Sequence, residues 1–104
     1  MPSFENAFST LDLGEKISKD ELVRAIRFFI AAEYEAVQMY TQIARSTDNE
    51  LAKAVLMDIA EEELVHAGEF LRLLKELSPK DWEKYEEGFK EVEEMMEKFG
   101  GNKK

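Results

Sequence analysis

From Ser18 to Leu77 the chain runs without a proline and with a single glycine, Gly68, while apolar residues recur at steps of three and four. That spacing is the period of a helix, and no strand-like alternation interrupts it. The two prolines, Pro2 and Pro79, stand where a helix has not begun or is about to begin. We therefore read an all-α chain. Ser18 followed by Glu21 has the form of a capping box, in which hydroxyl and carboxylate satisfy each other's free backbone donors. It opens a first helix over about 19–45. Thr47 and Glu50 repeat the spacing, so the second helix follows a link of two or three residues and continues to about Leu77. So short a link predicts an antiparallel hairpin, each helix roughly 40 Å long at 1.5 Å per residue. Ser78-Pro79 offers an N-cap and a first-turn proline for a third helix over 79–99, which Gly100-Gly101 ends.

A chain of 104 residues is one domain, with little core to spare. Residues 1–17 carry Phe4, Phe8, Leu11 and Leu13 without a period and read as an irregular N-terminal arm. Residues 18–99 form the helical domain, and 100–104 a flexible tail or the stump of a linker. With 23 acidic against 14 basic side chains the formal charge is −9, which sets the chain against polyphosphate backbones and anionic membranes and in favour of cations. The absence of cysteine excludes disulfides, thiolate zinc sites, cysteine-bound iron–sulfur clusters and cysteine nucleophiles. No apolar run approaches the ~20 residues of a membrane span, and the first residues lack the form of a signal peptide. The expectation is a cytoplasmic protein that binds neither nucleic acid nor membrane.

Ionisable residues interrupt the apolar pattern at three places. At 100° per residue, Leu22, Ile26, Phe29, Ala36, Tyr40 and Ala44 share a stripe of the first helix with Glu33 near its centre. On the second helix Ala52, Val55, Ile59, Phe70, Leu73 and Leu77 share one with Glu63 and His66 in its middle. A single histidine on an apolar face is ordinarily a hydrogen-bonded core residue. Three potential ligands on facing stripes point instead to a shared metal ion, since an unpaired buried carboxylate costs several kcal/mol. Two oxygen donors and one imidazole suit iron, manganese or zinc. A Glu on each of two helices with Glu-x-x-His on each of the other two is the known ligand pattern of di-iron carboxylate bundles. This chain holds one copy of each part and one histidine. A dinuclear site must then lie on a twofold axis, two hairpins making the four-helix bundle. Tyr40, seven residues after Glu33, is either core or a hydrogen-bond donor to a ligating carboxylate. Glu62 lies at the edge of its stripe and Glu35 well off its own, so both are expected to face solvent. On the third helix Trp82, Tyr85, Phe89, Val92, Met96 and Phe99 make a narrow apolar seam, and the remaining faces are glutamate-rich and solvated.

The segments Glu33-Tyr34-Glu35-Ala36-Val37-Gln38-Met39-Tyr40, Ser46-Thr47-Asp48-Asn49-Glu50-Leu51 and Glu61-Glu62-Glu63-Leu64-Val65-His66-Ala67 resemble the encapsulated ferritins. Glu-Ala-x-x-x-Tyr followed by Glu-x-x-His is similar also to rubrerythrins and other ferritin-like proteins; the single copy in so short a chain is the more specific feature. The resemblance implies a ferroxidase that oxidises iron(II) with dioxygen or peroxide at a di-iron site between two chains. It implies rings of dimers and supply of iron for mineral storage inside an encapsulin nanocompartment. Carried over by position, Glu33, Glu63 and His66 match the metal ligands and Tyr40 a tyrosine beside them. Where some members carry acidic and tryptophan residues on the metal's route to the site, this chain has Ala32, Glu35 and Met39, so only Glu35 continues that role. No short apolar shell-docking peptide is evident at the end of this sequence, which counts against independent cargo loading; in some members the ferritin-like part is fused directly to the shell protein, and a sequence stopping just after Gly100-Gly101 is in keeping with that part cut out. Two rival functions remain: a rubrerythrin-like peroxide reductase, which generally needs a cysteine-ligated iron that this chain cannot build, and a non-catalytic assembly module in which a metal such as zinc staples two chains together.

Overall fold

The computed structural model describes residues 15–100. Among them are three helices, α1 over Lys19–Ser46, α2 over Glu50–Leu77 and α3 over Pro79–Lys98, and no strand. The arm expected over 1–17 and the tail over 100–104 lie outside the described residues except at their inner ends. None of the three helices is long and apolar enough to cross a membrane.

The helix ends follow from local hydrogen bonding. At the start of α1 the capping box forms as expected: the Glu21 amide donates to Ser18 Oγ at 3.1 Å and the Ser18 amide to Glu21 Oε1 at 2.8 Å. These bonds hold the Glu21 carboxyl below its usual pKa. The start of α2 differs from the expected pairing of Thr47 with Glu50. Asn49 is the N-cap, its Oδ1 accepting from the Ala52 amide at 2.9 Å, while Thr47 Oγ1 accepts from the Asn49 amide at 3.1 Å and shapes the link. Asn suits this role because its carbonyl reaches the amide three residues on. Ser78 precedes α3, with Pro79 in its first turn, but its side chain makes no capping bond. Gly100 has φ 68°, the left-handed conformation that ends a helix at least cost in a residue without Cβ.

The hairpin core lies off the stripes drawn from the sequence. On α1 the buried residues are Val23, Ala25, Ile26, Ile30 and Ala44; on α2 they are Ala60, Ala67 and Leu74, seven residues apart. Val23, Ile26, Ile30 and Leu74 make one cluster, with Leu22, Phe70, Leu71 and Leu77 packed against it. Of the residues expected inside, Ile26 and Ala44 are buried, whereas Phe29, Val55 and Leu73 are more than 40% exposed. Two helices share only a narrow strip, and the apolar arc of each is wider than that strip.

Beyond Leu77 the chain turns away from the hairpin, and α3 buries none of its residues. Its direction is set near its first turn, where Arg27 Nη2 lies 2.5 Å from Asp81 Oδ2 and the Lys75 ammonium sits 5.7 Å from the centre of the Trp82 ring. Trp82 meets Tyr85 and Phe89 edge-on, at 5.4 and 6.5 Å between centroids. The radius of gyration is 18.0 Å, against about 13 Å for a compact domain of this length. The single chain is therefore open.

Leu74 is fully buried and its neighbour Leu73 is 41% exposed. Leu74→Ala is expected to cost about 2–5 kcal/mol in urea unfolding of the metal-free monomer, and Leu73→Ala much less. Equal losses would contradict the observed core.

Candidate metal centre

The register of the hairpin brings Glu33 of α1 opposite Glu63 and His66 of α2. Glu63 and His66 are three residues apart and so project from adjacent turns of one face. His66 Nδ1 lies 3.1 Å from Glu33 Oε2 and 3.2 Å from Glu63 Oε1. Potential ligand atoms of the three residues all fall within 4.8 Å of one another, and among the described residues this is the one such grouping of three. The structure thus brings together the three ligands expected from the sequence.

Their burial differs from the expectation. The two carboxylates are half-buried, with side-chain exposures of 17% and 18%, but the imidazole is 51% exposed. The cluster sits on the rim of the hairpin, not in its core. At 100° per residue Phe29, Val55 and Leu73 fall on the same side of their helices as the cluster, and all three are exposed. Phe29 and Phe70, with ring centres 5.5 Å apart, bridge the helices there.

Tyr40 is half-buried on the Glu33 side of α1. It lies two turns further on, about 10 Å along the axis. Among the described residues its hydroxyl makes no hydrogen bond, so within one chain the structure does not join Tyr40 to the cluster. Glu35 and Glu62 are exposed, as their positions on the helices required.

The electrostatics favour a cation. Burial raises the Glu33 pKa above the ordinary carboxylate value, and the negative charge of Glu63 raises it further, while His66 pulls it down. For His66, partial burial opposes the charged form, but Glu33 and Glu63 outweigh it and hold the imidazole above its ordinary pKa. With both ring nitrogens protonated, the imidazolium is the positive charge between two carboxylates. The donor set fits iron, manganese or zinc: the carboxylates are hard ligands, the imidazole is borderline, and both bind metal in the deprotonated form.

Both raised pKa values carry the same sign. Each group binds its proton more tightly in the folded chain, so this part of the stability is present below about pH 4.3 for Glu33 and about pH 6.5 for His66, and is lost as pH rises through the folded values. Metal must displace the same protons. Affinity is therefore expected to fall as pH is lowered, with the His66 step above about pH 6.5, in titrations followed by metal binding and by the imidazole NMR signals. Occupancy that holds to about pH 4 would contradict these ligands.

A profile of the rubrerythrin family matches residues 22–102. The chain is 40% identical over 78 residues to a ferritin-like–encapsulin shell fusion protein of Pyrococcus furiosus, covering 75% of this chain and 23% of that one. It is 40% identical over 74 residues to an encapsulin nanocompartment cargo protein of Myxococcus xanthus, covering 71% of this chain and 56% of that protein. This chain thus spans only part of either relative. The crystal structure of the encapsulated ferritin domain from Pyrococcus furiosus superposes with a TM-score of 0.76 at 36% identity, over 83% of this chain and 88% of that one. The chain belongs to the rubrerythrin family of ferritin-like proteins and, among these, groups with the encapsulated ferritins.

Proposed function

We propose that the protein is a ferroxidase whose di-iron site is completed by two chains, and that it supplies iron(III) for storage inside an encapsulin shell. The observation that carries this reading is the convergence of Glu33, Glu63 and His66 within 4.8 Å on an open, apolar-flanked face. Three ligands with one histidine make half of a di-iron carboxylate set. A second copy related by a twofold axis would supply the other half and would cover Phe29, Val55 and Leu73 in doing so. The named relatives, a shell fusion and a compartment cargo protein, support the encapsulin setting.

Iron(II) is the substrate. Two ions give up one electron each; dioxygen takes both electrons and two protons to become hydrogen peroxide, or a peroxide takes them to become water. Bound between carboxylates, iron(III) is favoured over iron(II) because the ligands carry negative charge. Glu63 is assigned as the bridging ligand, and Glu33 and His66 as terminal ones. His66 releases its proton as iron binds. Tyr40 is assigned as hydrogen-bond donor to a ligating carboxylate. Nearby apolar side chains restrict water once the face is covered.

Anaerobic loading followed by oxygen addition tests this reading. The parent is expected to bind two iron(II) ions per dimer and to oxidise iron over repeated cycles. Glu33→Ala, Glu63→Ala and His66→Ala are each expected to lose most of that rate, since a shared site loses two ligands per substitution. Tyr40→Phe is expected to keep the stoichiometry and to slow oxidation by about 10- to 100-fold. Zinc binding without any iron oxidation would select the metal-stapled module instead.

Assembly is coupled to the same charges. In a metal-free dimer the partner carboxylates face one another and repel, and divalent ions reverse the sign. Native mass spectrometry is expected to show iron(II) promoting dimers and chelation dispersing them. Glu33→Ala, which removes ligand and repulsion together, is expected to pair without metal. A parent that binds one metal per chain and never pairs would refute the shared site.

A further inference from the structure

At one end of the hairpin three helix ends meet. The chain enters α1 at Lys19, leaves α2 at Leu77 and starts α3 at Pro79, and between these ends lies a cleft of about 550 Å³. Lys19, Arg24 and Arg27 of α1 and Lys80 of α3 line it, against one acidic residue, Asp20. In a chain with 14 basic and 23 acidic side chains a wall drawn at random would be acidic, yet this one is basic by four to one. The metal reading makes no use of it. Arg27 lies six residues before Glu33, about 9 Å back along α1 and about 120° round it.

We infer that this cleft is a binding site for a phosphate group. The first observation is charge that the chain leaves unanswered. Arg27 gives one nitrogen to Asp81, but Lys19, Arg24 and Lys80 make no ion pair among the described residues, and Arg24 meets Glu21 only through space. Like charges gathered in a cleft repel, and an anion placed between them turns that repulsion into attraction.

The second observation is the start of α3. The start of α1 is closed by its own capping box, with the Glu21 carboxylate already in place. The start of α3 is open. Ser78 Oγ makes no capping bond, Pro79 has no N–H, and the Lys80 amide finds no acceptor among the described residues. A hydroxyl and an amide thus stand ready to donate beside the Lys80 ammonium, at the positive end of a helix dipole. The end of α2 is of opposite sign, but there the Leu74 carbonyl already accepts from the Ser78 amide at 2.8 Å.

The third observation is the set of donors. Asp81 holds the Arg27 guanidinium through Nη2, which fixes its plane and leaves Nε and Nη1 to donate. Donors therefore approach from the α1 wall and from the α3 wall at once. A planar carboxylate with one charge satisfies a single guanidinium, whereas a tetrahedral phosphate, with more oxygens and a charge near −2, satisfies both walls. Free phosphate and a phosphomonoester share this chemistry. Leu77 and Pro79 add an apolar edge on which the organic part of an ester would rest.

Titration of the full, chelator-treated chain with inorganic phosphate at about 0.15 M salt, followed by amide NMR and calorimetry, tests the site without iron. Saturable binding is expected, with the largest shifts at Arg24, Ser78 and Lys80. Arg24→Gln and Lys80→Gln are each expected to weaken it about tenfold, as loss of one charged contact does. Asp81→Asn keeps an acceptor for Arg27 while removing a negative charge beside the cleft, so it is expected to tighten binding, a gain that a damaged fold would not produce. Arg45→Gln removes the same charge at the far end of α1 and is expected to change nothing. Phenyl phosphate separates the two sources: tighter binding than inorganic phosphate selects an ester, and equal or weaker binding selects the free ion. A parent that does not saturate, succinate bound as tightly as phosphate, or an Arg45→Gln that weakens binding as much as Arg24→Gln overturns the inference. So does an Asp81→Asn that loses affinity. None of these outcomes depends on the metal reading, because no iron is present.

Discussion

Two antiparallel helices can hide only the strip along which they touch, and the rest of this molecule is arranged around that limit. In this hairpin the strip is lined by Val23, Ile26 and Ile30 on one side and by Ala60, Ala67 and Leu74 on the other. The alanines let the backbones approach closely, at the expense of buried area per residue. What the strip cannot hold is left outside: Phe29, Val55 and Leu73 on one face, Met57 and Leu64 on the other, and the seam of α3. Exposed apolar surface of that extent marks interaction surfaces.

The carboxylates and the imidazole belong to the same account. Placed at the rim, Glu33 and Glu63 are half out of water, and burial together with the neighbouring Glu63 charge raises the Glu33 pKa. His66 remains accessible and compensates them with its own proton. A cation can replace that proton without any buried charge being stranded, because the site opens to solvent on the side of the imidazole. A cluster sealed in the hairpin core would have been closed to metal. The rim position thus links the small core to the proposed chemistry: the side chains that do not fit between two helices are those available to a second pair.

Much of this was legible in the residue pattern. Helix number and approximate ends follow from the long run free of proline, from the capping box at Ser18 and from Pro79, all of which act within a few residues. The three potential ligands were legible because charged groups in an apolar period have few explanations. The N-cap of α2 was misread, since Thr47 with Glu50 has the capping-box spacing while Asn49, three residues before Ala52, makes the cap and Thr47 instead accepts from the Asn49 amide. The core stripe was rotated for a different reason. The widest apolar arc marks everything that some partner must cover, and the large residues Phe29, Val55 and Leu73 weighted it toward the open face. The seven-residue spacing of Ala60, Ala67 and Leu74 was present in the sequence as the better signal for a close two-helix contact.

By itself the sequence determined the all-α class, the hairpin, the acidic character and the identity of the three potential ligands, because each depends on periodicity, capping or residue chemistry over short spans. It also determined that one chain holds a single histidine and so a single Glu-x-x-His. Only the tertiary structure decided that Glu33, Glu63 and His66 converge within 4.8 Å, that they do so at a rim, and that Tyr40 stands apart from them in one chain. It alone decided that α3 leaves the hairpin, held by the Arg27–Asp81 ion pair and by Lys75 against Trp82. These outcomes depend on the register and rotation of one helix against another. Register is set by the sum of many small contacts between residues far apart in the chain, and a shift of one residue would turn each side chain by 100° while leaving every local signal unchanged.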